Sequence, residues 1–259
     1  MTVHVVSSYS EALERLKSII RSYEQIYGKR LNYIETSINF TNLYPTEKYL
    51  ELEKFAVVLK KTLTENYDLP IVAITNGKLN FVIDGHHRCY AKYLTGHSRI
   101  RAFKIFIENY APKAHYFWDT MEIIVTNEEV PEEYEYWKAI VKYVEYYRKI
   151  YGGKILVKYC KVPLKDVIPT QPYIEKAKLQ ALAGERFFRN PIVTLEFRGK
   201  YYIIDGHARA YIAFMKNISE LYSVVLRLQK VSEEDIGIVR TSKMLGLRSL
   251  SDVKVLGYL

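Results

Sequence analysis

The chain has 259 residues, which is enough to bury one large or two small hydrophobic cores without disulfide bonds. Its two cysteines, Cys89 and Cys160, exclude a secreted disulfide scaffold and a cysteine-rich zinc site, so we expect a reduced, cytoplasmic environment. The net charge of +9 favours phosphorylated partners, but the 29 acidic and 38 basic residues are interleaved and therefore favour nucleic acid only weakly.

The N-terminal segment, residues 1–30, predicts a single amphipathic helix. Its first residues lack the basic and apolar regions of a signal peptide, and no later apolar run reaches the roughly 18 residues of a membrane span, so we expect no membrane partner. The helix is expected from Ser8 to Tyr27, with Ser8 or Ser10 as its cap. Glu11 falls in the first turn, where a negative charge is favourable. The apolar stripe of the helix indicates core packing.

Residues 31–125 predict the first α+β unit, which contains a short strand, a Pro-Thr-Glu turn ending at Glu47, a helix, a β-hairpin and a second helix. The hairpin is predicted because two β-branched or aromatic runs flank Asn76-Gly77, a dipeptide typical of tight hairpin turns. The second hairpin strand runs into Asp84-Gly85-His86-His87-Arg88. Apolar residues at helical spacing follow this motif. The motif is therefore predicted to lie at a strand-to-helix junction.

Residues 126–153 predict a long connecting helix. An amphipathic run extends from Pro131 to Tyr151. Proline at its start and Gly152-Gly153 at its end are typical of helix boundaries. We expect this helix to join two domains.

Residues 154–259 repeat the pattern of the first unit and add a C-terminal tail. The second copy reads Ile204-Asp205-Gly206-His207-Ala208-Arg209, again after a predicted hairpin. Upstream, Pro169-Thr170-Gln171 matches Pro45-Thr46-Glu47. Because these anchors recur in the same order, we predict an α+β fold of two diverged units with an N-terminal helix and a long connecting helix.

The strand-to-helix junction is predicted to bind an anion. A helix N-terminus exposes unpaired N–H groups and a partial positive charge, and Gly85 lets the backbone approach a ligand. His86, His87 and Arg88 add donors for a phosphate group. Asp84 is expected to orient a histidine, hold Mg²⁺ or contact a reacting hydroxyl. The alternative is that Asp84 only caps the helix.

Two adjacent histidines, His86 and His87, raise the question of a zinc site. Neighbouring residues of a helix point about 100° apart and rarely bind one ion together. The second copy has His207 followed by alanine. We therefore predict no direct protein metal site, and we expect Mg²⁺ to accompany a nucleotide, with Asp84 as its one candidate protein contact.

The two copies differ at the end of the Pro-Thr turn. Glu47 can accept a proton, whereas Gln171 can only form hydrogen bonds. We infer that the first copy is the catalytic centre with Glu47 as its general base; the alternative is an ordinary acidic residue in the first turn of a helix. Glu51 and Glu175 place a carboxylate one turn later in both copies. The ligand candidates of the degenerate second copy are Gln171, Asp205, Gly206, His207 and Arg209.

The Asp84-to-Arg88 motif, preceded by a hairpin and a Pro-Thr-Glu turn, resembles the ParB/sulfiredoxin fold. Over residues 31–120 the chain is similar to archaeal free L-serine kinases. That resemblance implies phosphorylation of L-serine to O-phosphoserine by ATP or ADP with Mg²⁺. The residues that it implies for the site are Glu47 as the base, Asp84 as a second catalytic residue, Gly85, His86, His87 and Arg88 for the nucleotide phosphates, and Trp118 for serine.

Other functions of the same fold remain as alternatives. A ParB-like DNA-binding or nuclease-related protein would suit the basic charge, but a second copy of the unit stands where partition proteins carry a helix-turn-helix domain. A sulfiredoxin-like enzyme needs a reactive cysteine, and Cys89 falls on the predicted buried face of the helix. A non-catalytic nucleotide sensor is the third alternative. We rank a small-molecule kinase first, the nucleic-acid partner second and the sensor third.

Overall fold

The computed structural model of the protein describes residues 3–151, 155–182 and 190–257. The chain divides into two compact units, Met1–Glu145 and Tyr146–Leu259. The described residues form seven α-helices and two five-stranded mixed sheets, one in each unit, which confirms the predicted α+β class. No helix among them is long and apolar enough to cross a membrane.

The first unit follows the predicted order of helix, strand, turn, helix, hairpin and helix. Its elements are α1 (Tyr9–Tyr27), β1 (Tyr33–Asn39), β2 (Leu43–Pro45), β3 (Tyr49–Glu51), α2 (Leu52–Thr64), β4 (Ile71–Thr75), β5 (Asn80–Asp84), α3 (His86–Leu94), β6 (Arg99–Phe106), β7 (Glu122–Ile124) and the first part of α4 (Glu132–Tyr151). The five-stranded sheet has the order β1-β6-β4-β5-β2, in which β4 is parallel to β6 and β5 is parallel to β2. Strand β3 pairs in parallel with β7.

Helix α1 begins and ends at residues that the sequence marks. The Ser8 side chain accepts the backbone N–H of Glu11, and Gly28 ends the helix in the left-handed conformation at φ 64°. These contacts confirm the predicted helix and its Ser8 cap. Leu16 is fully buried in the same hydrophobic cluster as Phe103 of β6. The N-terminal helix therefore packs on the sheet of the first unit.

Strands β4 and β5 form the predicted hairpin. They pair antiparallel across Asn76-Gly77, where the Asn76 side chain accepts two backbone N–H groups of the turn and Gly77 adopts φ 92°. The register shifts beside Val72, so that Asp84, the last residue of β5, lies opposite it. This irregularity sets the position of Asp84 at the end of the sheet.

The second unit repeats the sheet of the first. Its elements are β8 (Ile155–Pro163), β9 (Val167–Ile168), β10 (Tyr173–Glu175), α5 (Lys176–Ala181), β11 (Ile192–Phe197), β12 (Lys200–Asp205), α6 (His207–Met215), β13 (Glu220–Leu228), α7 (Gly237–Met244) and β14 (Lys254–Leu256). The sheet order β8-β13-β11-β12-β9 and its strand directions match the first unit. The register shift also recurs, because Asp205 lies opposite Val193.

Helix α4 covers most of the predicted connecting segment. The predicted end at Gly152-Gly153 lies outside the described residues. Lys60 Nζ lies 3.1 Å from Glu133 Oε2, and the Tyr90 hydroxyl donates to Glu145 Oε1 at 3.2 Å. The helix up to Glu145 is therefore part of the first unit, and the division between the units falls inside it.

Candidate functional site

The strand-to-helix junction of the first unit turns at Gly85. Strand β5 ends at Asp84, α3 begins at His86, and Gly85 between them has φ 98°. A methyl group on Gly85 would lie 2.7 Å from Ile71 Cγ2 and 2.8 Å from the Arg88 guanidinium. The glycine is thus required by its backbone conformation and by the side chains behind it. The close approach of a ligand to this glycine, which the sequence predicts, stays a prediction.

The Arg88 side chain links the residues on both sides of this junction by hydrogen bonds. Nη1 donates to the Pro70 carbonyl at 2.7 Å, Nη2 donates to Asp84 Oδ2 at 2.6 Å, and the side chain is buried. These contacts use part of the guanidinium fork that the sequence predicts for a phosphate group. Arg88 therefore joins the strand to the helix, although it also lines the cavity described below.

Asp84 lies between two arginines. Its Oδ2 atom accepts the Arg88 hydrogen bond, and its Oδ1 atom lies 3.5 Å from Arg15 Nη1. The cap residue of α3 is Gly85, and Asp84 makes no capping bond to the helix. The alternative in which Asp84 only caps the helix is therefore wrong.

His86 is buried and joins the Pro-Thr turn to the junction. Its Nε2 atom accepts the backbone N–H of Thr46 at 3.1 Å, so we assign the ring proton to Nδ1. Burial lowers the pKa of His86 to about 3, and the ring is therefore neutral near neutral pH. Nδ1 lies 3.3 Å from Glu47 Oε2. The neutral ring therefore lies beside the Glu47 carboxylate, although the two groups are not aligned as a hydrogen bond.

Glu47 is the carboxylate with the properties of a general base. Although 60% of its side-chain surface is exposed, partial burial, followed by the charges of Glu51 and Asp84, raises the pKa of Glu47 above its ordinary value. A raised pKa makes a carboxylate a stronger proton acceptor. The carboxylate also lies 3.3 Å from the neutral His86 ring.

A second histidine and carboxylate lie beside the first pair. His87 Nε2 is 2.8 Å from Glu51 Oε2, although the two groups are not aligned as a hydrogen bond. Contact with His87 lowers the pKa of Glu51 to about 2, and burial lowers the pKa of His87. Glu51 therefore stays charged near neutral pH, whereas the pKa of Glu47 is raised. Carboxylates with pKa values shifted apart have different roles, and Glu47 is the one suited to proton transfer.

These side chains line one cavity of about 170 Å³ in the first unit. It contains every predicted residue of the first-copy motif and turn, namely Glu47, Asp84, Gly85, His86, His87 and Arg88. It also contains side chains that the sequence did not mark for the site, namely His4, Arg15 and Lys54. The cavity thus contains Glu47 with a raised pKa and Glu51 with a lowered pKa. It also contains the start of α3 and the three basic side chains named above.

Only one of the three additional basic residues had a signal in the sequence. Lys54 matches Lys178 at the spacing that relates Glu47 to Gln171, so alignment of the two copies indicates it. Arg15 lies on a helix whose apolar stripe predicts only core packing. Nothing in the local sequence shows that this helix reaches the junction.

Among the described residues, no group of three or more His, Cys, Asp or Glu side chains could hold a metal ion. Asp84 faces guanidinium groups with both of its oxygens, from Arg88 and Arg15, and these repel a cation. Asp84 therefore does not fit the expected role of a Mg²⁺ ligand.

Trp118 and Cys89 do not line the cavity. Trp118 is 5% exposed, its Nε1 donates to the Leu43 carbonyl at 2.8 Å, and its ring packs edge-on against Phe40. The geometry therefore does not support the predicted contact of Trp118 with serine. Cys89 is fully buried, and burial raises the pKa of its thiol. A buried thiol of this kind argues against the sulfiredoxin-like alternative.

Comparisons with known proteins identify a relative but no family. No protein-family model matches the chain. An uncharacterized protein of the archaeon Methanocaldococcus jannaschii, MJ0188, is 30% identical over 122 residues, which cover 46% of this chain and 45% of the relative. The chain thus has an archaeal homologue and spans about half the length of the curated relative it matches. Among solved structures, protein Atu1540 from Agrobacterium tumefaciens is similar over 38% of this chain and 62% of that chain, with 11% identity and a TM-score of 0.29.

The second unit repeats the junction without its acid-base pairs. Gly206 has φ 97°, Arg209 Nη2 donates to Asp205 Oδ2 at 2.8 Å, and burial lowers the pKa of His207 to about 4. The His207 Nε2 atom accepts the Thr170 N–H at 3.1 Å. The shared motif residues therefore build the same junction in both units. The residues that differ are Gln171 and Ala208, which stand where the first unit has Glu47 and His87.

Proposed function

We propose that the protein is a nucleotide-dependent kinase that phosphorylates a small hydroxyl metabolite, with free L-serine as the leading acceptor and ATP or ADP as the donor. One observation carries the proposal: Glu47, whose pKa is raised, shares a cavity with the start of α3, Lys54 and Arg15. Phosphoryl transfer to a hydroxyl requires a group that accepts the proton and positive charges that hold the phosphates. The first unit supplies both.

In the proposed reaction, the hydroxyl oxygen of the acceptor attacks the terminal phosphorus of the nucleotide. The bond from that phosphorus to the bridging oxygen breaks, the shortened nucleotide leaves with the electron pair, and Glu47 accepts the hydroxyl proton. His86 Nδ1 lies 3.3 Å from the Glu47 carboxylate, close enough to help position it. The low pKa of His86 keeps its ring neutral, so it does not reduce the basicity of Glu47 as an imidazolium would.

The nucleotide phosphates are assigned to the start of α3. The first backbone N–H groups of a helix and its dipole favour anions, and Lys54 lines the same cavity. Arg88 contributes less than the sequence predicts, because its guanidinium already donates to Pro70 and Asp84. Mg²⁺ would enter bound to the nucleotide phosphates, whose charge it neutralises, and no protein ligand is assigned to it.

The resemblance to the ParB/sulfiredoxin fold and to archaeal free L-serine kinases supports the assignments of Glu47 and the helix start. It is also the source of L-serine as the leading acceptor. Asp84 is assigned an electrostatic role, because its charge is one of those that raise the pKa of Glu47. Trp118 is left out of the substrate site, since its indole is buried against Leu43.

The test is to incubate the purified protein with Mg²⁺, ATP or ADP, and a panel of hydroxyl amino acids led by L-serine, and to identify products by mass spectrometry. We expect O-phosphoserine from the wild type. Glu47→Gln should lower turnover roughly 10²- to 10⁴-fold and leave nucleotide affinity unchanged. Glu65→Gln, the same exchange at the far end of α2 and outside the cavity, is the control.

Three results would count against this proposal. Turnover by Glu47→Gln equal to that of the wild type would exclude Glu47 as the base. Salt-sensitive DNA binding with no product from any acceptor would favour the ParB-like alternative. Tight nucleotide binding without turnover would favour a sensor.

A further inference from the structure

Helices α1 and α4 correspond in sequence. The sequence Ile-Tyr-Gly occurs at residues 26–28 and 150–152, and a fully buried aliphatic residue lies at the same distance before each, Leu16 and Ile140. In this alignment the residue just before each of them is Arg15 in α1 and Ala139 in α4. Alanine therefore stands in α4 at the position that Arg15 occupies in α1.

The cavity residues fall into two groups when the repeats are compared. Lys54 and the Asp-Gly-His-x-Arg junction occur in both copies. Glu47 aligns with Gln171 in the second copy, and Arg15 aligns with Ala139, which belongs to the part of α4 in the first unit. The start of α3 and Lys54 suit a nucleotide phosphate. Glu47 and Arg15 therefore suit the part of the substrate that is not the nucleotide.

The Arg15 guanidinium is oriented toward the junction by two long contacts. Nη1 lies 3.5 Å from Asp84 Oδ1, and Nη2 lies 3.4 Å from His4 Nδ1. The side chain is 41% exposed and lines the cavity. A guanidinium has five N–H groups, and contacts of this length hold it loosely. Arg15 can therefore direct some of its N–H groups toward an anion in the cavity.

The N-terminal segment before α1 lies beside this arginine. His4 Nε2 lies 3.3 Å from Glu11 Oε1, so the histidine is held between that carboxylate and Arg15. Two residues further on, the Val6 carbonyl accepts a hydrogen bond from the Tyr67 hydroxyl. The segment is thus fastened to the first unit and forms one wall of the cavity.

We propose that Arg15 binds the carboxylate of the hydroxy acid whose hydroxyl proton passes to Glu47, an inference that rests on the proposed kinase function. A guanidinium matches a carboxylate in a paired, charge-assisted contact, which a lysine cannot reproduce. Arg15 and Glu47 line the same small cavity, so one short molecule can reach both. The pair selects an acceptor that carries a hydroxyl and a carboxylate, and disfavours the corresponding amino alcohol.

Calorimetric titration of the full-length protein with L-serine, ethanolamine and ADP tests this assignment. Ethanolamine is L-serine without its carboxylate. Arg15→Gln should weaken L-serine binding by about ten- to a hundredfold, the loss expected for hydrogen bonds to a charged group. It should leave ADP binding unchanged and remove the preference for L-serine over ethanolamine. Arg15→Lys should restore only part of the affinity, because the ammonium group cannot make the paired contact.

Arg21→Gln is the matched control, since Arg21 lies on the same helix and does not line the cavity. Thermal melting of each variant shows whether the fold is retained. A wild type that binds and phosphorylates L-serine, with Arg15→Gln binding it equally well, would overturn the role of Arg15 alone. Weaker ADP binding by Arg15→Gln, with L-serine unchanged, would also overturn it and assign Arg15 to the donor phosphate. A wild type that neither binds nor phosphorylates any hydroxyl acid would overturn the kinase proposal, and this inference with it.

Discussion

His86 Nδ1 lies 3.3 Å from Glu47 Oε2, while the opposite ring nitrogen of His86 accepts the backbone N–H of Thr46. His207 makes the same backbone bond to Thr170 in the second unit. One side of the ring therefore has a structural contact in both units. The other side meets a carboxylate in the first, and the second has glutamine at that sequence position.

Alanine in place of either histidine should reduce stability to a similar extent but have different effects on turnover. His86→Ala and His207→Ala each leave the N–H of a half-buried threonine without its partner, at a cost of about 1 kcal/mol. Only His86→Ala also removes the ring that lies 3.3 Å from Glu47, so only this variant should lose turnover. Urea denaturation and O-phosphoserine formation measure the two effects. Equal loss of turnover in both variants would contradict the orienting role of His86.

In the pH profile of the reaction, kcat/KM should begin to fall at a pH above the ordinary pKa of glutamate. Partial burial and then the charges of Glu51 and Asp84 raise the pKa of Glu47 above 4.5. Below this raised pKa the Glu47 carboxylate is protonated and cannot accept the hydroxyl proton, so kcat/KM falls as the pH falls. Glu51→Gln removes one of the charges and should move the acid limb to lower pH. A limb that stays in place in the pH–rate profile of this variant would assign it to another group.

Alanine should destabilise the protein more at Gly85 than at Gly28. Both residues have positive φ, at 98° and 64°, so each change costs about 1–2 kcal/mol in backbone strain. At Gly85 the new methyl group would also overlap Ile71 and Arg88, which adds about 1–3 kcal/mol. Gly28 has open space around it. Chemical denaturation compares the two, and equal losses would show that the junction accommodates a side chain.

Trp118 allows the resemblance and the structure to be tested against each other. Trp118→Phe removes the hydrogen bond to the Leu43 carbonyl and should lower stability by about 1–3 kcal/mol. Because the indole lies outside the cavity, the KM for L-serine should not change. The resemblance predicts a raised KM instead. Steady-state kinetics on the variant distinguishes the two outcomes.

Local signals in the sequence were sufficient to predict helix α1 and the hairpin of β4 and β5. Ser8 caps α1 as predicted, and Asn76-Gly77 forms the turn between β4 and β5, because capping and turn formation depend on neighbouring residues. The pairing of β3 with β7 could not be predicted, since strands of three residues carry too little pattern to fix a partner. The division of the chain inside α4 has no local signal either.

The motif residues do line one cavity, but the sequence did not give the contact of each residue. Asp84 and Arg88 are four residues apart, a spacing typical of a helical ion pair, yet the sequence assigned both to a ligand. Arg15 reaches Asp84 only through the packing of α1 on the sheet. A contact between residues so distant in sequence is set by tertiary structure. Because the second unit repeats the junction, the shared residues can be recognised as structural. The residues found only in the first unit are then the candidates for function.

The most direct test of the kinase proposal is single-turnover transfer of a labelled terminal phosphate from bound nucleotide to L-serine, in the wild type and in Glu47→Gln. Nucleotide occupancy is measured in parallel and should be the same in both proteins. We predict labelled O-phosphoserine in the first turnover of the wild type, and a rate lower by roughly 10²-fold or more in the variant. Equal rates at equal occupancy would contradict the assignment of Glu47, and absence of transfer by the wild type to any hydroxyl acceptor would contradict the kinase itself.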